Sequence, residues 1–154
     1  VFMDPTDAEL DAALAAVPLE MIQLHGKETP ERVAAVRSRT KCLVLKAFSV
    51  GSREDIAAVK AFEDAADWLL FDAKPPKNSA LPGGNAVSFD WTLLAGARLR
   101  RPWMLSGGLT PENVAAVVAA SGATAVDVSS GVEDAPGKKS PARITKFLET
   151  VRSL

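Results

Sequence analysis

The sequence predicts an α/β fold of the (β/α)8 barrel type, and two observations point to it. Strong helix starts alternate with short strand-like runs along the chain, which implies βαβ units and a parallel sheet. Within those runs one face stays apolar, while the other turns polar towards the carboxyl end of the strand. The inner wall of a barrel behaves this way where it becomes the floor of a site. A doubly wound open sheet, covered by helices on both faces, has central strands that read as nearly unbroken apolar runs.

The elements follow in order. Val1, Phe2 and Met3 read as the tail of a strand already in progress, so the chain is expected to begin inside a larger domain. "TDAE" at Thr6–Glu9 is a capping box, in which the Thr hydroxyl and the Glu carboxylate each satisfy an orphan amide; Leu10, Leu14 and Val17 follow at helical spacing. A strand is predicted over 21–25. Thr29 and Pro30 then supply an N-cap hydroxyl and a first-turn proline ahead of Val33 and Val36. After a strand over 42–47, Ser52 and Asp55 open a helix carrying Ile56 and Val59. A strand over 68–72 leads through a long loop to a short, late helix around 90–94. The strand over 103–106 is followed by Thr110 and Pro111 as helix start, Val114, Val117 and Val118 as the apolar stripe, and Gly122 as C-cap. A last strand over 125–128 precedes Ser140, Pro141 and the stripe Ile144, Phe147, Leu148 and Val151. With the stub at residues 1–3 this makes six strands in one domain over 1–154, about six of the eight βα units of a barrel.

The faces are read from alternation. Ile22 and Leu24 oppose Met21, Gln23 and His25; Leu43 and Leu45 oppose Cys42, Val44 and Lys46. Leu69 and Phe71 oppose Trp68, Leu70 and Asp72, and Val126 and Val128 oppose Ala125, Asp127 and Ser129. His25, Lys46, Asp72 and Asp127 are thereby expected on the inner face.

Composition narrows the function classes. The 154 residues are 47% hydrophobic with a formal net charge of -1 and no block of like charges, which gives no footprint for nucleic acid or an anionic membrane. No apolar run approaches the roughly 18 residues of a membrane helix, and no signal peptide opens the chain. The single cysteine, Cys42, excludes an internal disulfide framework and a cysteine-rich zinc site, and a cytoplasmic protein is expected. No metal-ligand cluster is apparent.

Chemistry is expected at the strand ends. "SGGLTPENV" at 106–114 sets Gly107 and Gly108 between a strand and a helix, where backbone amides can approach an anion. "SSGVE" at 129–133 repeats the design after the next strand with Ser129, Ser130 and Gly131. The loops after the last two strands of such barrels commonly bind phosphate, and small residues leave room for it. Either stretch alone also reads as a tight turn. Asp72 ends an apolar run; it serves either as a general acid, its protonated form favoured beside apolar walls, or as a loop-initiating Asp that bonds local amides. The loop that follows, "AKPPKNSALPGGNAVS", exceeds the usual connection length, which leans towards function. His25, the only histidine, is either a packed residue or part of the site; Lys46 either attracts a substrate carboxylate or pairs with Asp127. "KPPK" at 74–77 reads as a solvated turn, and Trp68, Trp91 and Trp103 read as packing groups.

"IQLHG" at 22–26, "FDAKPP" with "LPGGN…FDW" between 71 and 91, "LSGGLTPENV" and "VDVSSGVEDAPGKK" together resemble phosphoribosylanthranilate isomerase, in order and across essentially the whole chain. "MDPTDAEL" resembles that family's third strand-to-helix junction. The resemblance implies a (β/α)8 barrel of tryptophan biosynthesis. Its reaction converts N-(5-phosphoribosyl)anthranilate to 1-(2-carboxyphenylamino)-1-deoxyribulose 5-phosphate by Amadori rearrangement, without metal or organic cofactor. It further implies Asp72 as the general acid that opens the furanose ring. Gly107, Gly108, Ser129, Ser130 and Gly131 would hold the phosphate, Asp127 and His25 would line the pocket, and Gly83, Gly84 and Asn85 would form the loop beside the acid. The expected partner is a phosphorylated small molecule, and the protein a monomer or homodimer.

Departures from the family qualify this. Its usual base, a cysteine in a "CG" motif on the first strand, and an arginine after the second strand have no counterpart here, and Ala86 stands where the family has Gly. Cys42 lies at the start of its strand, near the barrel floor, and is no replacement. The chain is accordingly expected to start at the end of the third strand, to comprise the C-terminal three-quarters of a barrel, and to be inactive on its own. Two other readings stand beside this one. A sister phosphate-binding barrel, of the indole-glycerol-phosphate synthase or sugar-phosphate epimerase type, calls for lysine–glutamate pairs or metal-binding sets at strand ends. A non-catalytic flavodoxin-like module calls for an open sheet with helices on both faces.

Overall fold

Local capping chemistry sets the helix starts in the computed structural model, which describes residues 1–73 and 91–154. Helix α1 (Asp7–Ala16) begins at the expected capping box, with the Glu9 amide donating to Thr6 and the Glu9 carboxylate accepting from the Thr6 amide at 2.8 Å. Helix α2 (Pro30–Thr40) is capped by Thr29, and α3 (Arg53–Val59) by a second capping box from Ser52 and Asp55. Helix α5 (Pro141–Arg152) has Pro141 in its first turn, while Ser140 makes no side-chain cap.

One helix starts later than the sequence suggests. Thr110 does not cap α4 (Val114–Ser121); Asn113 is its N-cap residue. The Thr110 amide donates to Asn113 Oδ1 at 2.8 Å, and Asn113 Nδ2 donates to the Gly108 carbonyl at 2.9 Å. Residues 110–113 therefore close a turn of their own before the helix begins. Gly122 takes the C-cap position with a left-handed backbone, as expected.

The strands β1 (Met21–Leu24), β2 (Leu43–Val50), β3 (Trp68–Ala73) and β4 (Trp103–Ser106) form one parallel sheet in the order β1-β2-β3-β4. The order never reverses. A doubly wound sheet needs a reversal to place helices on both faces, whereas an unreversed run with crossovers of one hand keeps them all on one side, as in a barrel. The two outermost predicted strands are reduced to single bridges, Phe2 with Leu24 and Leu105 with Val126. Between β3 and β4 lies the 3₁₀ turn Trp91–Leu94, the described part of the short late helix. A small antiparallel hairpin, β5 (Glu133–Ala135) and β6 (Lys138–Lys139), was not expected; Pro136 and Gly137 turn it.

Register fixes which residues share a face. Leu24 pairs with Lys46 and Lys46 with Leu69; Gln23 pairs with Leu45, and Leu45 with Trp68. Ile22, Leu24, Val44, Leu69, Phe71 and Leu105 belong to the main core against the helices, with Leu10, Val33, Val36, Val59, Val114 and Phe147. Leu45, Ala47 and Leu70 form a second, smaller cluster on the inner face with Trp68 and Met104. Alternation placed three strands correctly and reversed the phase of β2. Leu43 and Leu45 face inward, and Val44 and Lys46 face the helices. Lys46 is tolerated there because a buried carboxylate, Glu28, lies 3.1 Å from its Nζ. Its partner is Glu28 rather than Asp127. Trp91 and Trp103 pack against the main core, as packing groups should.

A second buried carboxylate couples this packing to pH. Glu63, with a side chain only 6% exposed, accepts from the Arg100 amide and lies 3.1 Å from the Arg100 guanidinium. The amide bond, with the guanidinium behind it, outweighs burial and holds the Glu63 carboxyl below its ordinary value. A depressed carboxyl stabilises the fold fully above its unfolded value of about 4.3, and the contribution is lost as pH falls through the folded value. Glu63→Gln is therefore expected to lower the thermal midpoint at about pH 7 and to shrink the drop between about pH 7 and pH 3. Unfolding curves of the two proteins at both pH values check this.

Candidate active site

The polar ends of the parallel strands converge. His25 follows β1, Asp72 lies near the end of β3 and Ser106 ends β4, while Asp127 sits just past the Val126 bridge. In register, Asp72 is the partner of Ser106 and Ser49. His25 Nε2 stands 3.5 Å from Asp72 Oδ2, both side chains about one-third exposed at 31% and 35%. Ser106 Oγ donates to Asp127 Oδ2 at 3.0 Å. Gln23 Nε2 lies 3.4 Å from His25 Nδ1 on the far side of the ring.

Both small-residue stretches meet these groups. A cavity of about 540 Å³ is lined by His25, Asp72 and Asp127 together with Gly107, Gly108, Ser129, Ser130 and Gly131. The backbone is shaped for close approach. Gly107 and Gly108 both take left-handed conformations, with φ of 89° and 63°. Gly131 is required for another reason, since a Cβ there would overlap the Leu109 carbonyl oxygen of the neighbouring loop. The two stretches thus touch, and any side chain at 131 would drive them apart. Residues 130–132 form one 3₁₀ turn rather than a long helix, so the small residues that line the cavity sit on loop and turn.

Three polar lining residues, Gln23, Ser106 and Lys139, were not singled out as site residues from the sequence. Gln23 shares the inward face that alternation gave to His25, and Ser106 is an ordinary polar strand end until register pairs it with Asp72. Lys139 Nζ donates to the Ser129 carbonyl at 3.0 Å, to Ser129 Oγ at 3.1 Å and to Glu133 at 2.7 Å, and so brings a cation to the small-residue stretch. That ammonium holds the Glu133 carboxyl below its ordinary value. The signal for Lys139 was the "PGKK" turn, which folds the chain back onto "SSG".

Other sequence expectations fall elsewhere. Gly83, Gly84, Asn85, Ala86 and the "KPPK" stretch lie outside the described residues. Cys42 is buried just before β2, at the opposite end of the strands, with Sγ 3.1 Å from the Leu19 carbonyl. Among the described residues no group of three or more His, Cys, Asp or Glu is placed to hold a metal ion, and no helix is long and apolar enough to cross a membrane. The arrangement offers an acid and an imidazole in contact, a hydroxyl–carboxylate pair, and an amide-rich cradle with one lysine. Such a set suits proton transfer on a small phosphorylated molecule.

Comparison with known proteins agrees. The family described as N-(5'phosphoribosyl)anthranilate (PRA) isomerase matches residues 1–150. The N-(5'-phosphoribosyl)anthranilate isomerase of Rhodospirillum centenum is 57% identical over 155 residues, covering 100% of this chain and 72% of the relative. That of Cereibacter sphaeroides is 57% identical over 150 residues, covering 97% and 71%. Among solved structures, the Thermotoga maritima phosphoribosyl anthranilate isomerase superposes with a TM-score of 0.84 at 35% identity, covering 99% of this chain and 71% of that one. A structure of phosphoribosyl anthranilate isomerase in complex with reduced 1-(o-carboxyphenylamino)-1-deoxyribulose 5-phosphate has a TM-score of 0.81 at 32% identity, covering 99% and 70%. The unreversed parallel sheet is thus part of a (β/α)8 barrel, and the chain belongs to the N-(5'-phosphoribosyl)anthranilate isomerase family.

Proposed function

We propose that the cavity performs the acid step and holds the phosphate in the Amadori rearrangement of N-(5-phosphoribosyl)anthranilate to 1-(2-carboxyphenylamino)-1-deoxyribulose 5-phosphate, in tryptophan biosynthesis. The observation that carries this is convergence: Asp72, His25 and both small-residue stretches line one space at the carboxyl ends of the strands. Asp72 gives its proton to the furanose ring oxygen as the C1–O bond breaks and the anilino nitrogen's lone pair forms the C1=N bond. A general base then removes the C2 proton, and the resulting enolamine tautomerises to the ketone as C1 takes up a proton and the C2 hydroxyl gives one up. His25 stands 3.5 Å from Asp72 on the same wall of the pocket, and Asp127 with Ser106 lines the sugar side. The phosphate lies against the amides of Gly107, Gly108, Ser129, Ser130 and Gly131, with Lys139 supplying charge.

Cys42 cannot supply the base from the far end of β2. For that reason the polypeptide of these 154 residues alone is expected to show no turnover. The sister-barrel reading loses its one lysine candidate, since Lys46 is buried against Glu28. A cytoplasmic location and a monomeric or homodimeric state complete the proposal; one related Thermotoga maritima structure is of monomers generated from a dimeric form. The test grafts these residues into the Rhodospirillum centenum relative in place of the matched stretch and follows the loss of substrate fluorescence. Turnover by the graft, and none by the 154-residue chain, is expected. A folded graft that neither turns over substrate nor binds the reduced product analogue would overturn the proposal.

Gly131→Ala tests the phosphate grip separately. The methyl group forces the Leu109 loop away, so KM of the graft for the phosphorylated substrate is expected to rise at least about 10-fold, with kcat changed less. An unchanged KM would move the phosphate elsewhere.

A further inference from the structure

We propose that the buried Lys46–Glu28 ion pair is a positioning device for the reaction: it locks the turn after β1 so that His25 is held against Asp72. The pair is almost wholly enclosed, its side chains 3% and 1% exposed. Lys46 Nζ donates to the Gly26 carbonyl at 3.0 Å and to the Ala47 carbonyl at 2.8 Å. Glu28 accepts the Gly26 amide at 3.0 Å through Oε2 and the Asp4 amide at 2.8 Å through Oε1. Both backbone groups of Gly26, the residue next to His25, are therefore held by the two members of one ion pair. The same pair ties three segments together: the turn after β1, strand β2 and the chain at Asp4.

The site needs such a device. Among the described residues the ring of His25 makes long polar contacts, 3.4 Å to Gln23 and 3.5 Å to Asp72, which are too loose to fix a side chain. Its backbone is fixed instead. The His25 amide donates to the Phe2 carbonyl at 2.8 Å on one side, and the clamped Gly26 lies on the other. Gly26 is packed so closely that a Cβ would press into the Asp4 backbone. Stability alone does not call for this arrangement, because apolar groups of similar volume often replace a buried ion pair at no cost. Lys46 and Glu28 touch no substrate in this scheme; they act through Gly26 and His25.

The inference rests on His25 belonging to the substrate pocket, but its test reads the ring directly and needs no turnover. A failed isomerase assay and a failed clamp are thus distinguished. His25 is the only histidine in the sequence, so its ring ¹⁵N signals are assigned without further variants. These signals, Gly26 amide exchange and thermal unfolding are compared in the unmodified chain, Lys46→Met, and Lys46→Met with Glu28→Gln. The single variant strands a buried carboxylate and lowers the unfolding midpoint; the second change removes that charge and restores most of the loss. In the restored double variant the two ring nitrogens are expected to move towards the shifts of a free imidazole, and Gly26 exchange to quicken at least about 10-fold. Unchanged His25 shifts and Gly26 exchange in the folded double variant would make the pair merely structural and overturn the proposal. Should neither variant fold, the unmodified chain decides. Its Gly26 amide must exchange as slowly as the β1 amides, and exchange at the rate of an exposed loop overturns the clamp.

Discussion

Asp72→Asn in the grafted enzyme is expected to lower kcat by at least about 10²-fold, equivalent to about 2.7 kcal/mol of transition-state stabilisation, with KM nearly unchanged. Asn has the shape of Asp and keeps an oxygen towards His25, so the 3.5 Å contact survives. What it lacks is a transferable proton. Opening the furanose ring without that proton leaves an alkoxide as leaving group, and the penalty falls on the transition state alone. Binding of the reduced product analogue should therefore be retained, because that molecule is already ring-opened. A variant with wild-type kcat would remove Asp72 from the mechanism and leave it the other role open to it, tying local amides at the start of the loop. A variant that loses analogue affinity as well as rate would mark a binding carboxylate instead.

The parts of this site that were legible in the sequence are those in which chemistry is local. Small residues at a strand end and a carboxylate closing an apolar run both announce themselves over a few positions. The faces of β1, β3 and the run over 125–128 could also be read, because their alternation carries no conflict. Strand β2 could not. Its apolar residues run through both faces, and the single charge suggested that Lys46 points to the cavity. The reverse holds because Glu28, eighteen positions earlier in the chain, is buried beside it and satisfies the ammonium. Nothing local in "CLVLK" encodes that partner. Lys139 was hidden for a related reason. Two lysines after Pro-Gly look like a solvated turn, and only the β5–β6 hairpin carries the second one back to Ser129. Thr110 and Asn113 competed for the same helix start, and Asn113 prevailed by bonding both the Thr110 amide and the Gly108 carbonyl.

Phe71→Ala is expected to cost about 3–5 kcal/mol, against about 2–4 kcal/mol for Leu70→Ala one residue away. Both side chains are buried, at 0% and 1% exposure, so transfer from water does not separate them. The faces of β3 do. Phe71 lies in the large core between sheet and helices, edge-on to Trp103 at 5.4 Å between ring centres and 6.4 Å from Phe48. Its removal forfeits ring contacts and leaves a hole walled by strands and helices that cannot easily close. Leu70 faces the inner cluster of Leu45 and Ala47 with the partly exposed Trp68 and Met104, whose side chains have room to relax into the space. Against a total stability of about 5–15 kcal/mol for a domain, the outer substitution alone brings the fold close to its limit. Urea unfolding of the two variants should show a lower midpoint for Phe71→Ala at an unchanged slope. If Leu70→Ala proves the more costly, the inner face is the tighter core. The division of labour between a helix-packed structural wall and a looser, chemistry-bearing interior would then be wrong for this barrel.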